Sequence, residues 1–289
     1  MEFVTRFAPS PTGRLHLGHA YSACAAYDAA RETGGRFLLR IEDIDATRVR
    51  PEFERAIYDD LSWLGLTWDR NVRRQSEHLS DYATDVTKLR EMGVVYRCFL
   101  TRREIAEQAA SAPHTVGEGP DGLVYKGPAI PMSADEEEMR LARGDAYAWR
   151  LSMRYSQNLL SEQFARLVFV EQDAGSKLER EITARPESHG DVILGRKDVA
   201  VSYHIAVVHD DALQGVTHVI RGEDLRPSTH VHVLLQKLLG LPTPVYRHHN
   251  LLTGPDGKRY AKRDLSLTLA SLRAEGVVPA QIRAQRGEG

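Results

Sequence analysis

The stretch Phe7-Ala8-Pro9-Ser10-Pro11-Thr12-Gly13-Arg14-Leu15-His16-Leu17-Gly18-His19 decides the fold. Before it, Phe3-Val4-Thr5-Arg6-Phe7 reads as an opening strand. After it, the small-residue run over 20–27 reads as a helix. A strand, a loop stiffened by Pro9 and Pro11, and a helix N-terminus together form the place where open α/β sheets bind nucleotide phosphates. Gly13 and Gly18 carry no Cβ where backbone has to approach a phosphate or a base. His16 and His19 stand three apart and share one face of the helix start. Two imidazoles there are suitable donors to a phosphoryl group whose charge grows in a transition state.

Outward from this stretch the chain alternates strand and helix as far as residue 93. Residues 36–41 read as a second strand. Pro51 opens a helix whose Phe53, Ala56, Ile57, Leu61 and Leu64 recur at helical spacing, and Gly65 stops it. Residues 82–92 read as another helix, ended by Gly93. The middle, 94–186, breaks the rhythm with Pro113, Pro120, Pro128 and Pro131 and with Gly117, Gly119, Gly122 and Gly127, and reads as an insertion. Alternation returns over 187–250, with strands at 191–194 and 217–220. A helix or buried strand starts at Tyr203, and a helix through Val231, Leu235 and Leu238 ends at Gly240. The expected architecture is α/β, a doubly wound parallel sheet whose halves, 1–93 and 187–250, flank the 94–186 subdomain. A basic loop, a short helical C-terminal segment and a tail occupy 251–289.

A chain of 289 residues, 42% hydrophobic and 27% charged, is long enough to bury a full core and has the balance of a soluble enzyme. No apolar run approaches the roughly 20 residues that span a bilayer, and the start shows no basic-plus-apolar leader, so a cytoplasmic protein without membrane contact is expected. A net charge of -2 excludes a generic nucleic-acid coat but not a shaped RNA site. Basic residues cluster at Arg70, Arg73 and Arg74, at Arg97, Arg102 and Arg103, over 258–263, and at Arg283 and Arg286. The acidic block 135–138 reads as a solvated helix start. Cys24 and Cys98 form no disulfide framework, and Cys24, among alanines, is expected in the core. Glu42, Asp43 and Asp45, at the end of the second strand, read either as a metal site or as structural carboxylates. His204, His209, His218, His230, His232, His248 and His249 have no ligand spacing and are expected on the surface or in strands.

A second stretch, Leu251-Leu252-Thr253-Gly254-Pro255-Asp256-Gly257-Lys258-Arg259-Tyr260-Ala261-Lys262-Arg263-Asp264, sets a basic cluster behind a Pro-Asp-Gly turn. The two stretches resemble the paired signatures of class I aminoacyl-tRNA synthetases in their glutamyl form. Residues 6–19 match the first signature. Residues 259–263 stand against Lys-Met-Ser-Lys-Arg, with Arg259 for the first lysine, Tyr260-Ala261 for the middle pair, and Lys262 retained. The resemblance, from Thr5 to about Leu272, implies a Rossmann-type domain that uses ATP with Mg2+. It places Pro9, Gly13, His16, His19 and Lys262 at the nucleotide, with His16, His19 and Lys262 as catalytic donors and Arg259 beside them. It implies a glutamate pocket of Arg6, Phe7, Ala8, Pro9, Ser10, Glu42, Tyr203 and Arg221. In that pocket Glu42 meets the ammonium and the two arginines meet the carboxylates. The insertion would face the tRNA acceptor arm.

Residues 96–102 resemble a segment that in many relatives holds zinc through Cys-x-Cys and a later Tyr-x-x-x-Cys. Cys98 and Tyr125 match, but Leu100 and Ala129 occupy two ligand positions, so no zinc is expected. Full synthetases continue into helical domains that read the anticodon, whereas this sequence ends at Gly289, soon after Lys262. The resemblance is then to the shortened branch of the family. That branch activates glutamate without tRNA and transfers it to queuosine, so the expected partners are glutamate, ATP and the anticodon stem-loop of tRNA(Asp). The alternative is a reduced glutamyl-tRNA synthetase that charges the 3′ end of tRNA(Glu). A catalytically silent RNA- or adenylate-binding paralogue is a third reading, and the presence of His16, His19 and Lys262 together counts against it.

Overall fold

The computed structural model describes residues 2–111, 116–119, 122–128, 130–196, 201–251 and 267–284. Strand β1 (Val4–Phe7) enters the proline loop and continues into helix α1 (Leu17–Glu32). The chain returns as β2 (Arg36–Ile41), α2 (Pro51–Trp63), β3 (Arg73–Arg74) and α3 (Leu79–Glu91). The three strands are parallel, Val4 opposite Arg36 and Arg40 opposite Arg73. Helix α1 buries Ala20, Ala23, Cys24, Ala26 and Ala30, so it lies close on the sheet, and the Thr5 hydroxyl donates to the Ala26 carbonyl at 2.8 Å.

The next segment contains β4 (Val95–Cys98), α4 (Arg102–Ser111), β5 (Val116–Gly119), β6 (Gly122–Tyr125), α5 (Ala134–Ala142), β7 (Ala148–Leu151), α6 (Met153–Leu160) and α7 (Glu162–Ala165). It continues through β8 (Val168–Gln172), β9 (Glu179–Thr183) and β10 (Val192–Arg196). The last described elements are α8 (Tyr203–Leu213), β11 (His218–Gly222), α9 (Arg226–Leu239), β12 (Val245–His249), α10 (Leu269–Ala274) and α11 (Pro279–Ala284).

Strands β11 and β12 are parallel, β12 pairs parallel with β8, and β9 closes that edge in antiparallel fashion. The Thr217 amide donates to the Val4 carbonyl at 3.0 Å, and the Val4 amide donates to Thr217 Oγ1 at 2.8 Å. These bonds bring the edge of β1 to β11 and join the two sheets. The doubly wound parallel arrangement expected from the sequence is therefore present.

Two strands take places the sequence rhythm did not indicate. The strand expected at 191–194 forms, as β10, but it pairs antiparallel with β7, which also pairs with β4 in a small separate sheet. Strand β8, within the expected insertion, joins the parallel sheet through Tyr246 opposite Glu171. Both assignments depend on non-local pairing, which strand patterning alone does not encode. The segment at Tyr203, open between helix and strand, is helix α8. It buries Ile205, Ala206, Val207 and Val208 in succession, as a helix covered on all sides does.

Helices cover both faces of the sheet. On β2, Phe37, Leu39 and Ile41 pack with α1 and α2, while Leu38 packs into the cluster formed by α3, α8 and α9. Arg40 shares the second face with Leu38 and is fully buried. Helix α9 ends as expected at Gly240, whose φ of +67° is the left-handed conformation that glycine takes without strain. Among the described residues no helix is long and apolar enough to cross a membrane.

Asp60, 1% exposed on α2, yields a stability prediction. Burial pushes its carboxyl up to about 6, and the Arg273 guanidinium, 3.8 Å away, only partly opposes this. A carboxyl whose folded value is raised favours the folded state at low pH and loses that advantage as pH rises through about 6. Asp60→Asn is therefore expected to stabilise the protein by about 1–3 kcal/mol at pH 7.5. The gain should shrink as pH falls below 6, as read from urea unfolding midpoints across that range.

Candidate active site

A cavity of about 700 Å³ lies outside the carboxyl ends of β1, β2 and β11. Arg6, Phe7, Ala8, Pro9 and Ser10 line it, as do Gly13, His16 and His19. Glu42, Tyr203 and Arg221 complete the expected set among the described residues. Lys262 and Arg259 lie outside the described residues. The chain reaches Leu251 on the cavity wall, and it resumes at Leu267 beside Thr268, which bridges to His16. The Leu269 amide also donates to the Leu15 carbonyl at 2.9 Å, tying α10 to the loop ahead of α1.

The loop is pinned from both sides. The Pro9 carbonyl accepts from the Glu42 amide at 3.1 Å, and the Pro11 carbonyl accepts from the Arg50 amide at 3.1 Å. Proline carbonyls remain good acceptors, so the stiff loop and the end of β2 are locked edge to edge. This bond sets Glu42 beside the nucleotide loop.

His16 is the N-cap of α1. Its Nδ1 accepts from the Gly18 amide at 3.1 Å, and His19 Nδ1 accepts from the His16 amide at 3.2 Å. The two rings form a reciprocal capping box, with ring centroids 3.8 Å apart. Burial lowers His16 below its ordinary value; burial and then the neighbouring His16 lower His19 to about 4. Both rings are neutral near pH 7. With each Nδ1 occupied as an acceptor, the ring proton sits on Nε2. The pair therefore presents two neutral N–H donors on a helix N-terminus. Gly18 serves this cap as well: a Cβ there would lie 3.1 Å from His16 Cε1. A Cβ on Gly13 would meet nothing within 4 Å.

Behind the cavity lies a buried charge network absent from the sequence-level candidates. Asp211 Oδ1 accepts from Arg6 Nε at 3.1 Å and from Arg40 Nη1 at 2.8 Å. Arg40 Nη2 donates to Glu42 at 3.1 Å. Burial opposes ionisation of Asp211, but Arg6 and Arg40 outweigh it and hold its carboxyl below the ordinary range. For Glu42 burial wins over Arg40 and Arg6, and its carboxyl is raised. Asp210 takes a second set of partners, Arg73 at 2.7 Å, Gln75 at 3.0 Å and the Tyr82 hydroxyl. Two signals for this network are present in the sequence: the Asp210-Asp211 pair in the last turn of an otherwise apolar helix, and an arginine on an otherwise apolar strand. Their pairing across 171 residues is not readable from spacing.

Arg221 Nη1 donates to the Tyr203 hydroxyl at 3.1 Å, and Nη2 donates to Thr229 Oγ1 at 2.7 Å. His248 and His232 are buried, 5% and 2% exposed, and His232 lies on a helix, not on the expected surface or strand. His232 bonds His204 at 3.2 Å. The three carboxylates after β2 separate. Glu42 faces the cavity, Asp43 accepts from the Ser76 amide and hydroxyl, and Asp45 accepts from Thr47. No metal site forms from them, because each carboxylate has its own local donor. Cys98 is buried beside Tyr125 and Leu100, while Ala129 lies outside the described residues. Among the described residues no three His, Cys, Asp or Glu side chains group as metal ligands.

The sequence pattern of the family described as tRNA synthetases class I (E and Q), catalytic domain, matches residues 2–285. The chain belongs to this family. Class I synthetases use ATP, and the fold and loop described above are those of the family's catalytic domain. The chain is 49% identical to the glutamyl-Q tRNA(Asp) synthetase of Rhodobacter capsulatus, over 97% of this chain and 98% of that protein. It is 40% identical to glutamate–tRNA ligase 2 of Dinoroseobacter shibae, over 96% of this chain and 58% of that one. Among solved structures, the glutamate tRNA ligase of Elizabethkingia meningosepticum in complex with its amino acid superposes with a TM-score of 0.79 at 28% identity. All of this chain is covered, and it spans 61% of that one.

Substitution separates the capping role of His16 and His19 from a role in chemistry. His16→Asn keeps a good N-cap acceptor, and His16→Ala removes it at a cost of about 1 kcal/mol. Both variants should slow adenylate formation by about 10²–10³, the cost of one donor aimed at a transition state. Thermal unfolding and ATP–pyrophosphate exchange on the same preparations check this. The folded value of His19 lies below its unfolded value of about 6.5, so its contribution is fully present above pH 6.5 and lost as pH falls towards 4. The stability difference between the wild type and His19→Gln should shrink over that window.

Proposed function

We propose that this protein activates glutamate with ATP, without tRNA, and transfers it to the queuosine base of tRNA(Asp). The observation that carries the first half is the assembly of Arg6, Glu42, Tyr203 and Arg221 in one cavity with the His16–His19 helix start. Arg6, Arg40 and Arg221 against Asp211 and Glu42 leave one positive charge in excess in and behind this cavity. Glutamate, with two carboxylates and one ammonium, carries the matching negative charge. Glutamine lacks the second carboxylate and would leave a buried guanidinium without its partner, which is a strong basis for rejecting it. An arriving ammonium compensates Glu42 and favours its ionised form.

The substrate carboxylate attacks the α-phosphate and pyrophosphate leaves. Charge grows on the phosphoryl oxygens; in this reading the Nε2–H groups of His16 and His19 donate to it, and Lys262 is the cationic donor. ATP would bring Mg2+ as the counter-ion of its triphosphate, which would supply charge neutralisation there. Pro9 and Gly13 border the nucleotide. Positioning and charge stabilisation are what such a transfer asks of the protein.

The acceptor assignment is supported by the relative from Rhodobacter capsulatus, matched at higher identity and over nearly its whole length, whereas the glutamate–tRNA ligase is matched over little more than half. Queuosine carries vicinal hydroxyls on a cyclopentene ring, so the adenylate chemistry that serves a terminal ribose also serves this base. Stacking and base-edge contacts would read the anticodon loop of the tRNA.

Labelled glutamate supplied with queuosine-containing tRNA(Asp), the same tRNA without queuosine, and tRNA(Glu) tests the assignment. Label is expected on the first alone, with glutamate-dependent exchange in the absence of any tRNA. Equal labelling with and without queuosine, or preference for tRNA(Glu) with tRNA-dependent exchange, would replace this reading with a reduced glutamyl-tRNA synthetase.

A further inference from the structure

Glu171 on β8 is 4% exposed and lies behind Arg221, outside the cavity. One of its oxygens, Oε2, accepts from Arg226 at 2.6 Å, and the other, Oε1, meets His248 Nδ1 at 2.8 Å. His248 on β12 is held far below its ordinary value, to about 2, first by burial and then by Arg221, so the ring is neutral. A neutral ring beside a carboxylate keeps its proton on Nδ1 and leaves a lone pair on Nε2. That lone pair faces the Thr229 hydroxyl at 3.1 Å and Arg221 Nε at 3.4 Å. Thr229 Oγ1 already accepts from Arg221 Nη2, so its own proton goes to His248. Each of these contacts then pairs a donor with an acceptor, and the other His248 tautomer would set N–H against N–H at Arg221.

We propose that Glu171 and His248 are positioning residues for glutamate recognition: the carboxylate fixes the imidazole with Nε2 as acceptor, and the imidazole with Thr229 fixes the plane of Arg221. The inference rests on the reading of Arg221 as a ligand for a substrate carboxylate. It gives a strand outside the cavity a part in choosing the amino acid. A guanidinium held in one plane loses less freedom on meeting a carboxylate than a loose one, so the benefit falls on glutamate affinity and not on the chemical step.

ATP–pyrophosphate exchange with glutamate and ATP varied separately tests this. Glu171→Gln keeps the shape but lets an amide donate to Nδ1, which drives the ring to the wrong tautomer. The KM for glutamate should rise about 10–100-fold, the loss of one hydrogen bond to a charged group, with the KM for ATP unmoved. His248→Ala should do the same, and His248→Gln, whose amide oxygen replaces the lone pair, should recover most of the loss. In the His248→Gln background Glu171→Gln should add little, because an amide has no tautomer to set.

An equal cost of Glu171→Gln in both backgrounds overturns the proposal, as does Arg226→Ala reproducing that cost. Should Glu171→Gln not fold, the contrast between His248→Ala and His248→Gln still tests the acceptor lone pair, and equal glutamate KM values in the two overturn the proposal. Arg221→Lys separates the two layers. An unmoved glutamate KM there removes the pocket reading and the proposal with it, whereas a raised KM beside a silent Glu171→Gln removes the proposal only.

Discussion

The ion pair between Arg40 and Asp211 is the contact on which the rest of this molecule turns. Arg40 is fully buried on β2, and Asp211 stands on α8, across the layer that separates sheet from helix. Taking either charge alone into that layer would cost several kcal/mol, and removing one partner of such a pair typically costs about 3–5 kcal/mol. Asp211 also holds Arg6, and Arg40 also holds Glu42. One buried pair therefore fixes the distance between a cation and an anion on the cavity wall and ties two halves of a sheet together. An apolar pair of the same volume would serve the fold as well or better. What it would not do is set two opposite charges at a defined separation on the cavity wall.

Much of this was legible in the sequence, and the parts that were not share a physical cause. The proline loop, the alanine face of α1, the stop of α2 at Gly65 and the left-handed cap at Gly240 are local. Each follows from backbone preferences or from periodicity within a dozen residues. The placements of β8 and β10 are not local, and a strand carries no mark of which neighbour it will find. The same division runs through the site. His16, His19, Arg6, Glu42, Tyr203 and Arg221 were singled out because they sit in motifs. Arg40, Asp211, Thr229 and His248 were passed over because they act on those residues from behind, through contacts that only the folded chain creates. The buried state of His248 and His232 has the same origin, since a histidine in an apolar setting looks like any other in a string of letters.

The cavity combines two kinds of preorganisation. At the start of α1, backbone amides fix ring tautomers, and the imidazoles become neutral donors with their protons already in place. At the ends of β1 and β2, charged side chains are set by other charged side chains. The first arrangement is insensitive to pH near neutrality because burial keeps the rings uncharged. The second depends on charge balance: Arg6 and Arg40 hold Asp211 ionised, while burial works against ionisation of Glu42. For the glutamate activation proposed above, this keeps the two ends of the cavity electrically distinct.

The sheet closes through a contact between Val4 and Thr217, and Arg6 meets Asp211 across 205 residues. During synthesis the first half of the sheet thus leaves the ribosome well before its partners exist. At about 5–20 residues per second, the 171 residues between Arg40 and Asp211 take about 9–34 s to make. Through that interval β1 and β2 carry two arginines on faces that are later buried, and those charges discourage the half-made sheet from packing against another copy of itself. The two arginines that Asp211 finally fixes therefore spend the time of synthesis without it.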